Sequence, residues 1–197
     1  MKEKQKYFLP SQDKVLIQRD EGEKEIGGIA MAPSILQKIP KGIVIAVGRG
    51  MKKGDKMIVK PGDHVLHNPH AGRGTDITVD GKQCIIMQEG EILLVFDKKE
   101  KYGFRLLRNE ILIVPDEEEK EFAKGILKPH EQLTVSRTGT VVEVGDMSEE
   151  PTPLHRGQKI HYYANTGSGP IEGRILGLDP KKFYIVMKVM HILGVYE

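Results

Sequence analysis

The sequence predicts an all-β protein built from two copies of one domain, and three observations carry that reading. Apolar residues never recur at helical spacing over a useful length, whereas short runs rich in Val, Ile and Leu are common. Glycine (22) and proline (11) punctuate those runs often enough to favour short strands joined by turns. The second half of the chain then repeats the order of the first at an offset that drifts from 96 to 100 residues.

Within the first half, Lys14-Val15-Leu16-Ile17-Gln18 has the composition of a strand, and a long irregular stretch from Asp20 to Lys41 follows it. Gly42 to Gly48 (GIVIAVG) is a second strand bracketed by glycines. Arg49 to Lys56 (RGMKKGDK) reads as a hairpin tip, Met57 to Lys60 as its return, and Pro61-Gly62-Asp63 as a turn. His64 to His67 is a strand stopped by Asn68-Pro69, and a glycine-bearing turn leads to Ile77-Thr78-Val79. Asp80-Gly81 is a strong hairpin signal before Gln83 to Met87, and Ile92 to Phe96 closes the set.

The repeat fixes the domain organisation. Asn109-Glu110-Ile111-Leu112-Ile113 aligns with Asp13-Lys14-Val15-Leu16-Ile17, and Asp116 to Glu121 with Asp20 to Glu25. Gly139 to Gly145 aligns with Gly42 to Gly48, Phe183 to Met187 with Gln83 to Met87, and Ile192 to Tyr196 with Ile92 to Phe96. A period of this length is a domain and not a solenoid unit. The expected boundaries are residues 1–96 and 104–197, with 97–103 (DKKEKYG) as linker.

Composition removes several function classes. A formal charge of +2 is too small for an electrostatic nucleic-acid binder, and aromatic residues are only 6% of the chain, with Tyr162-Tyr163 the one adjacent pair. One cysteine, Cys84, forbids an intramolecular disulfide and suits a reducing compartment. No apolar run reaches the length of a membrane-spanning helix, and the first residues lack the apolar segment of a secretion signal, so the cytoplasm is expected. His64, His67 and His70 share a three-residue spacing, but such residues alternate faces on a strand and Pro69 interrupts them, so a metal site is not expected. Gly72-Arg73-Gly74-Thr75 opens no helix after a strand and is no phosphate cradle. Cys84, among Gln83, Ile85 and Ile86, reads as a small core residue, and the acidic run Asp116 to Glu121 as a solvated stem.

The stretch from Asp20 to Lys41 is the candidate site. It carries charges, then Gly27-Gly28, then Ile29-Ala30-Met31, and ends in a run bounded by Pro33 and Pro40. Neither a core strand nor a helix accommodates that pattern, so a long loop presenting a short apolar bait is expected. The second copy has Gly125, Ile126, Leu127 and then Lys128. The competing reading, that Ile29 and Met31 tuck into their own domain as a satellite cluster, does not account for the bait recurring in both loops.

These residues, in this order, resemble the chaperonin-10 co-chaperonins, the GroES-like lids of group I chaperonins. The resemblance runs through Leu9-Pro10, Asp13-Lys14-Val15, the Gly27-Gly28-Ile29 loop, Gly42 to Gly48, Val59-Lys60-Pro61-Gly62-Asp63 and Ile92-Leu93, and then again through the second half. It implies two irregular β-barrels, each with a mobile loop and a roof hairpin, near Arg49 to Lys56 and Asp146 to His155. It further implies a non-enzymatic co-chaperonin that caps an ATP-driven group I chaperonin, self-associates into a ring and has no nucleotide site of its own. The chaperonin-binding residues would be Gly27, Gly28, Ile29, Ala30, Met31, Gly125, Ile126 and Leu127. The chain departs from the family in the small Ala30, in Lys128, in the single Gly125 and in His70-Ala71 where many relatives carry a dome-lining aromatic. The tandem arrangement also resembles the double-domain co-chaperonins of chloroplasts. A small-barrel module for nucleic acid or another ligand is the alternative, and the scattered aromatics disfavour it.

With no partner bound, residues 21–40 and 117–137 should be the least protected internal segments in amide hydrogen exchange. Strong protection across Gly27 to Met31 in the free protein would contradict the loop reading.

Overall fold

The computed structural model describes residues 8–20, 25–26, 29–30, 40–52, 56–68, 74–116, 138–147, 154–163 and 166–196, with backbone alone at 25–26 and 29–30. The chain divides into two compact units, Met1–Arg105 and Leu106–Glu197. Each is an antiparallel β-structure, so the all-β tandem expectation holds.

In the first unit the strands are β1 (Lys14–Arg19), β2 (Glu25–Ile26), β3 (Ile29–Ala30), β4 (Lys41–Val47), β5 (His64–His67), β6 (Thr75–Val79), β7 (Lys82–Gln88), β8 (Ile92–Phe96) and β9 (Phe104–Leu106). Seven of them form one sheet in the order β6-β7-β1-β4-β5-β8-β9, while β2 and β3 pair only with each other. The second unit has β10 (Glu110–Pro115), β11 (Thr138–Val144), β12 (Lys159–Tyr162), β13 (Ile171–Glu172), β14 (Phe183–Lys188) and β15 (Ile192–Val195), in the sheet order β13-β14-β10-β11-β12-β15. Among the described residues, one helical turn, α1 (Gly173–Leu176), and short 3-10 turns at 89–91 and 189–191 are the helical elements that the sequence pattern does not disclose.

Burial explains why β1 and β10 read as unbroken apolar runs. Each lies between two neighbours of its sheet and is covered on both faces, so alternation has no solvent side to report. Val15, Leu16 and Ile17 are buried, as are Ile111, Leu112 and Ile113. Val44, Val65, Leu66, Met87 and Leu94 complete the first core, while Val141, Leu154, Ile160, Tyr162 and Met187 pack around Ile111 and Ile113 in the second. The duplication extends to irregularities. The β1–β4 ladder shifts register between Leu16 and Ile17, and the β10–β11 ladder between Leu112 and Ile113. The β5–β8 and β12–β15 ladders shift at His67 and at Tyr162 in the same way. Such bulges bend a strand where a sheet must curl.

Residues 57–60 differ from the sequence reading, which made them a returning strand. Residues 57–60 form no strand, because the amides of Ile58 and Val59 donate to the buried Glu89 carboxylate at 2.5 and 3.0 Å instead of to a neighbouring strand. Among the described residues of 49–56 and 146–155 no strand forms either, and the remainder of both proposed roof hairpins lies outside the described residues. Residues 97–103, expected as the linker, form a turn closed by Asp97 N–H to Gly103 C=O at 2.9 Å, and β9 follows beside β8.

The second unit buries a carboxyl that the first lacks. Glu110 stands opposite Lys188 in the ladder, whereas the matching pair in the first unit is Lys14 and Gln88. Its Oε2 is buried without a hydrogen-bond partner, and burial pushes the carboxyl up from 4.5 to about 8 against the opposing pull of Lys188 and the Leu107 amide. Between those values the unfolded chain has released this proton while the folded chain keeps it. The second unit should therefore lose stability as pH rises from about 4.5 to about 8 and level off above that. Glu110→Gln should remove the slope, raising the thermal midpoint of this unit at pH 8 while changing it little at pH 4.5. An unchanged slope would mean that the carboxyl is solvated in the folded state.

Candidate functional site

The candidate site is built on the two places where a long connection leaves and re-enters a sheet. In the first unit β1 ends at Arg19 opposite Gly42, and the next amide, of Asp20, donates to the carbonyl of Lys41 at 3.0 Å. The amide of His67 donates to Pro40 C=O at 2.8 Å, fixing the returning strand from its other side. The second unit repeats this, with Pro115 opposite Gly139 and Asp116 N–H donating to Thr138 C=O at 3.0 Å. Residues 20 and 41, like 116 and 138, are thus joined across a closed neck.

Glycine is required beside each neck because the strands come too close for a side chain. A Cβ at Gly42 would sit 2.3 Å from the Gln18 carbonyl oxygen, and one at Gly139 would sit 2.8 Å from that of Val114. The glycines at the far ends of β4 and β11 are under the same constraint. A Cβ at Gly48 would lie 1.9 Å from Gln12 O, and one at Gly145 would lie 2.2 Å from Arg108 O. The repeated G-x5-G pattern is therefore a pair of close backbone approaches bracketing one strand.

Side chains tie each neck. In the first, His64 Nε2 lies 2.8 Å from Asp20 Oδ2, the His64 ring meets Phe96 at 5.6 Å between centroids, and Lys41 Nζ sits 4.5 Å over the Phe96 ring. Burial lowers the Lys41 ammonium from its ordinary value, with Asp20 pulling the other way. In the second, Asp116 Oδ2 accepts from Thr138 Oγ1 at 2.5 Å and lies 3.2 Å from Lys159 Nζ, with Tyr196 beneath Lys159 at 6.0 Å. The Thr138 hydrogen bond, and after it Lys159, holds the Asp116 carboxyl below the usual range. Asp116 is thus a pinned neck residue and not simply part of a solvated stem.

Of the residues assigned to the loops from sequence, Ile29 and Ala30 form β3, paired with Ile26 and Glu25 of β2. The short ribbon was not foreseen in a stretch read as irregular. Gly27, Gly28, Met31, Gly125, Ile126 and Leu127 lie outside the described residues. The sequence reading named Asp20, Lys41, His64 and Phe96 separately but did not join them, and of their counterparts Asp116, Thr138, Lys159 and Tyr196 only the aspartate is the same residue.

Of the features weighed for other chemistry, His70, Gly72 and Arg73 lie outside the described residues. His64 is exposed at the neck while His67 is buried with Nε2 unpartnered, and desolvation lowers the His67 imidazole from its ordinary value. No group of three or more metal-ligating side chains is found among the described residues. Cys84 is buried, and burial pushes its thiol up, which disfavours the reactive thiolate. No helix among the described residues is long and apolar enough to cross a membrane.

Two β-domains in tandem, each with the ends of a long connection joined at a glycine-lined neck, define a duplicated β-domain protein. The chaperonin 10 kDa subunit family matches the chain twice, over residues 7–96 and 104–196, and the chain belongs to that family. It is 29% identical over 196 residues to the 20 kDa chloroplastic chaperonin of Spinacia oleracea, covering 94% of this chain and 74% of that one. The co-chaperonin GroES of Dinoroseobacter shibae is 43% identical over 91 residues, which is 44% of this chain and 86% of that protein. The GroES of Parabacteroides distasonis is 40% identical over 87 residues, again 44% of this chain and 94% of its own length.

Proposed function

We propose that this chain is a cytoplasmic co-chaperonin that caps the chamber of an ATP-driven group I chaperonin and assists protein folding, binding through the apolar centres of its two loops. The observation that carries this reading is the pair of closed necks, which join Asp20 to Lys41 and Asp116 to Thr138 at matching points of both units. The chaperonin supplies the nucleotide site, and this chain supplies binding groups only. Burying Ile29 and Met31 in a partner groove contributes about 1.5–3 kcal/mol each. Ordering the loop costs roughly 1–2 kcal/mol per residue fixed, so one loop binds weakly. Several loops on one ring raise the avidity by about 10²–10⁴ without new contacts.

Ring assembly has a template inside the chain. Phe104 of β9 sits beside β8 and is 2% exposed, whereas Phe8, its counterpart in the repeat, is 42% exposed. β15, the counterpart of β8, ends its sheet, with Leu193 and Tyr196 half exposed. Residues 8–10 of a second copy would occupy the β15 edge as β9 occupies that of β8. The ring then contains an even number of domains, from three or four chains, and cannot meet a sevenfold partner one to one. Native mass spectrometry should find these closed species, and removal of residues 1–10 should yield single chains. A stable monomer of the full chain at micromolar concentration would overturn this assembly.

The two loops should contribute unequally. In an extended segment residues two apart share a face, which joins Ile29 to Met31 in the first loop but Ile126 to Lys128 in the second. An ammonium resists burial in an apolar groove unless its stem reaches out to water. Ile29→Ser should therefore weaken ATP-dependent chaperonin binding more than Ile126→Ser, and the double variant should nearly abolish it, with ring assembly intact. Equal losses would show Lys128 to be accommodated. Full binding by the double variant would remove the loops from the mechanism.

A further inference from the structure

We infer that the first unit encloses a binding site for one water molecule, held between Nε of Arg19 and Nε2 of His67. Arg19 ends β1 and directs Nη2 to Asp76 Oδ1 of β6 at 2.5 Å, while its Nε is buried with no hydrogen-bond partner. His67 ends β5 and is 4% exposed, and its Nε2 is likewise buried and unpartnered. Both charges of the Arg19–Asp76 pair act on the His67 ring, which places the two orphaned nitrogens in one neighbourhood. Gly42 pairs with Arg19 on one side and with Val65 on the other, so the row that crosses from β1 to β5 has no side chain at its centre.

The two nitrogens have complementary roles. Nδ1 of His67 lies 3.3 Å from the Asn68 carbonyl oxygen, which can only accept, so Nδ1 carries the proton. In a neutral ring Nε2 is then an acceptor, and burial of the ring favours the neutral form. Arg19 Nε–H can only donate. The occupant must therefore accept from the guanidinium and donate to the imidazole, which water does. A metal cation is repelled by the guanidinium, and an anion has no proton to give Nε2. Buried polar groups are rarely left unmade, and a buried water typically serves about two to four of them.

The site belongs to the first unit alone. Pro115 stands opposite Gly139 as Arg19 stands opposite Gly42, and Tyr162 faces Ile192 as His67 faces Ile92. Neither a guanidinium nor an imidazole occupies these places in the second unit. The water ties the end of β1 to the end of β5 across the intervening β4.

The test is a high-resolution crystal structure of the full chain together with ring-nitrogen NMR in solution. An ordered oxygen should lie about 2.7–3.2 Å from both nitrogens. The nitrogen shifts should show His67 protonated on Nδ1 with Nε2 accepting, and its ring protons should give cross-peaks to water with the sign of a long-lived bound molecule. His67→Phe, which keeps a flat ring without the acceptor, should lose the ordered oxygen. Crystals grown with bromide in place of chloride separate water from an adventitious ion only, and no anomalous peak should appear at this position. A proton on Nε2, a direct bond between the two side chains, an absent oxygen or a bromide peak would each overturn the site. So would an oxygen that persists in His67→Phe, since Arg19 would then hold it unaided. Should that variant fail to fold, the NMR and bromide measurements on the unaltered chain decide the matter.

Discussion

The structure depends on one backbone constraint, the close approach of two strands at the foot of each loop. The hydrogen bond from Asp20 N–H to Lys41 C=O, repeated from Asp116 to Thr138, brings the ends of a long connection to adjacent positions of a sheet. Closing a long flexible loop costs entropy that grows only slowly with its length, so the cost is met once at the neck and the loop's sequence is left free for another use. The approach tolerates no Cβ at Gly42 or Gly139, which is why a bracket of glycines surrounds an otherwise apolar strand.

That neck needs a foundation which does not move, and the central strand provides it. β1 and β10 are paired on both edges and buried on both faces, so the residue that begins each loop continues directly from the most enclosed part of its unit.

Against this common frame the two units have diverged in their polar residues. The first ties down an irregular segment with the buried Glu89 carboxylate, a position occupied by Val189 in the second. The second instead buries Glu110 at the start of its first strand, and fastens Arg156 to the buried Glu143 with Nε and Nη2 at 2.8 and 2.5 Å. The first unit has Pro61 and Ala46 at the positions matching that pair, so no such tie is possible there. Apolar positions persist through duplication because the core they fill is the same shape, whereas a polar tie is replaceable wherever another group satisfies the same amides.

The sequence alone determined the all-β class, the tandem repeat, most strand positions and the family resemblance, because each rests on local pattern: β-forming runs, turn residues, and the same order met twice. Val15-Leu16-Ile17 and Asp80-Gly81 could be read directly, since one is a strand covered on both faces and the other a turn whose backbone favours those residues. Only the tertiary structure decided what residues 57–60 do, because the amides of Ile58 and Val59 donate to a buried glutamate far along the chain. It alone joined Asp20 to His64 and Phe96, three residues with no local signal between them, since the ladder that makes them neighbours exists only once β1, β4, β5 and β8 have paired.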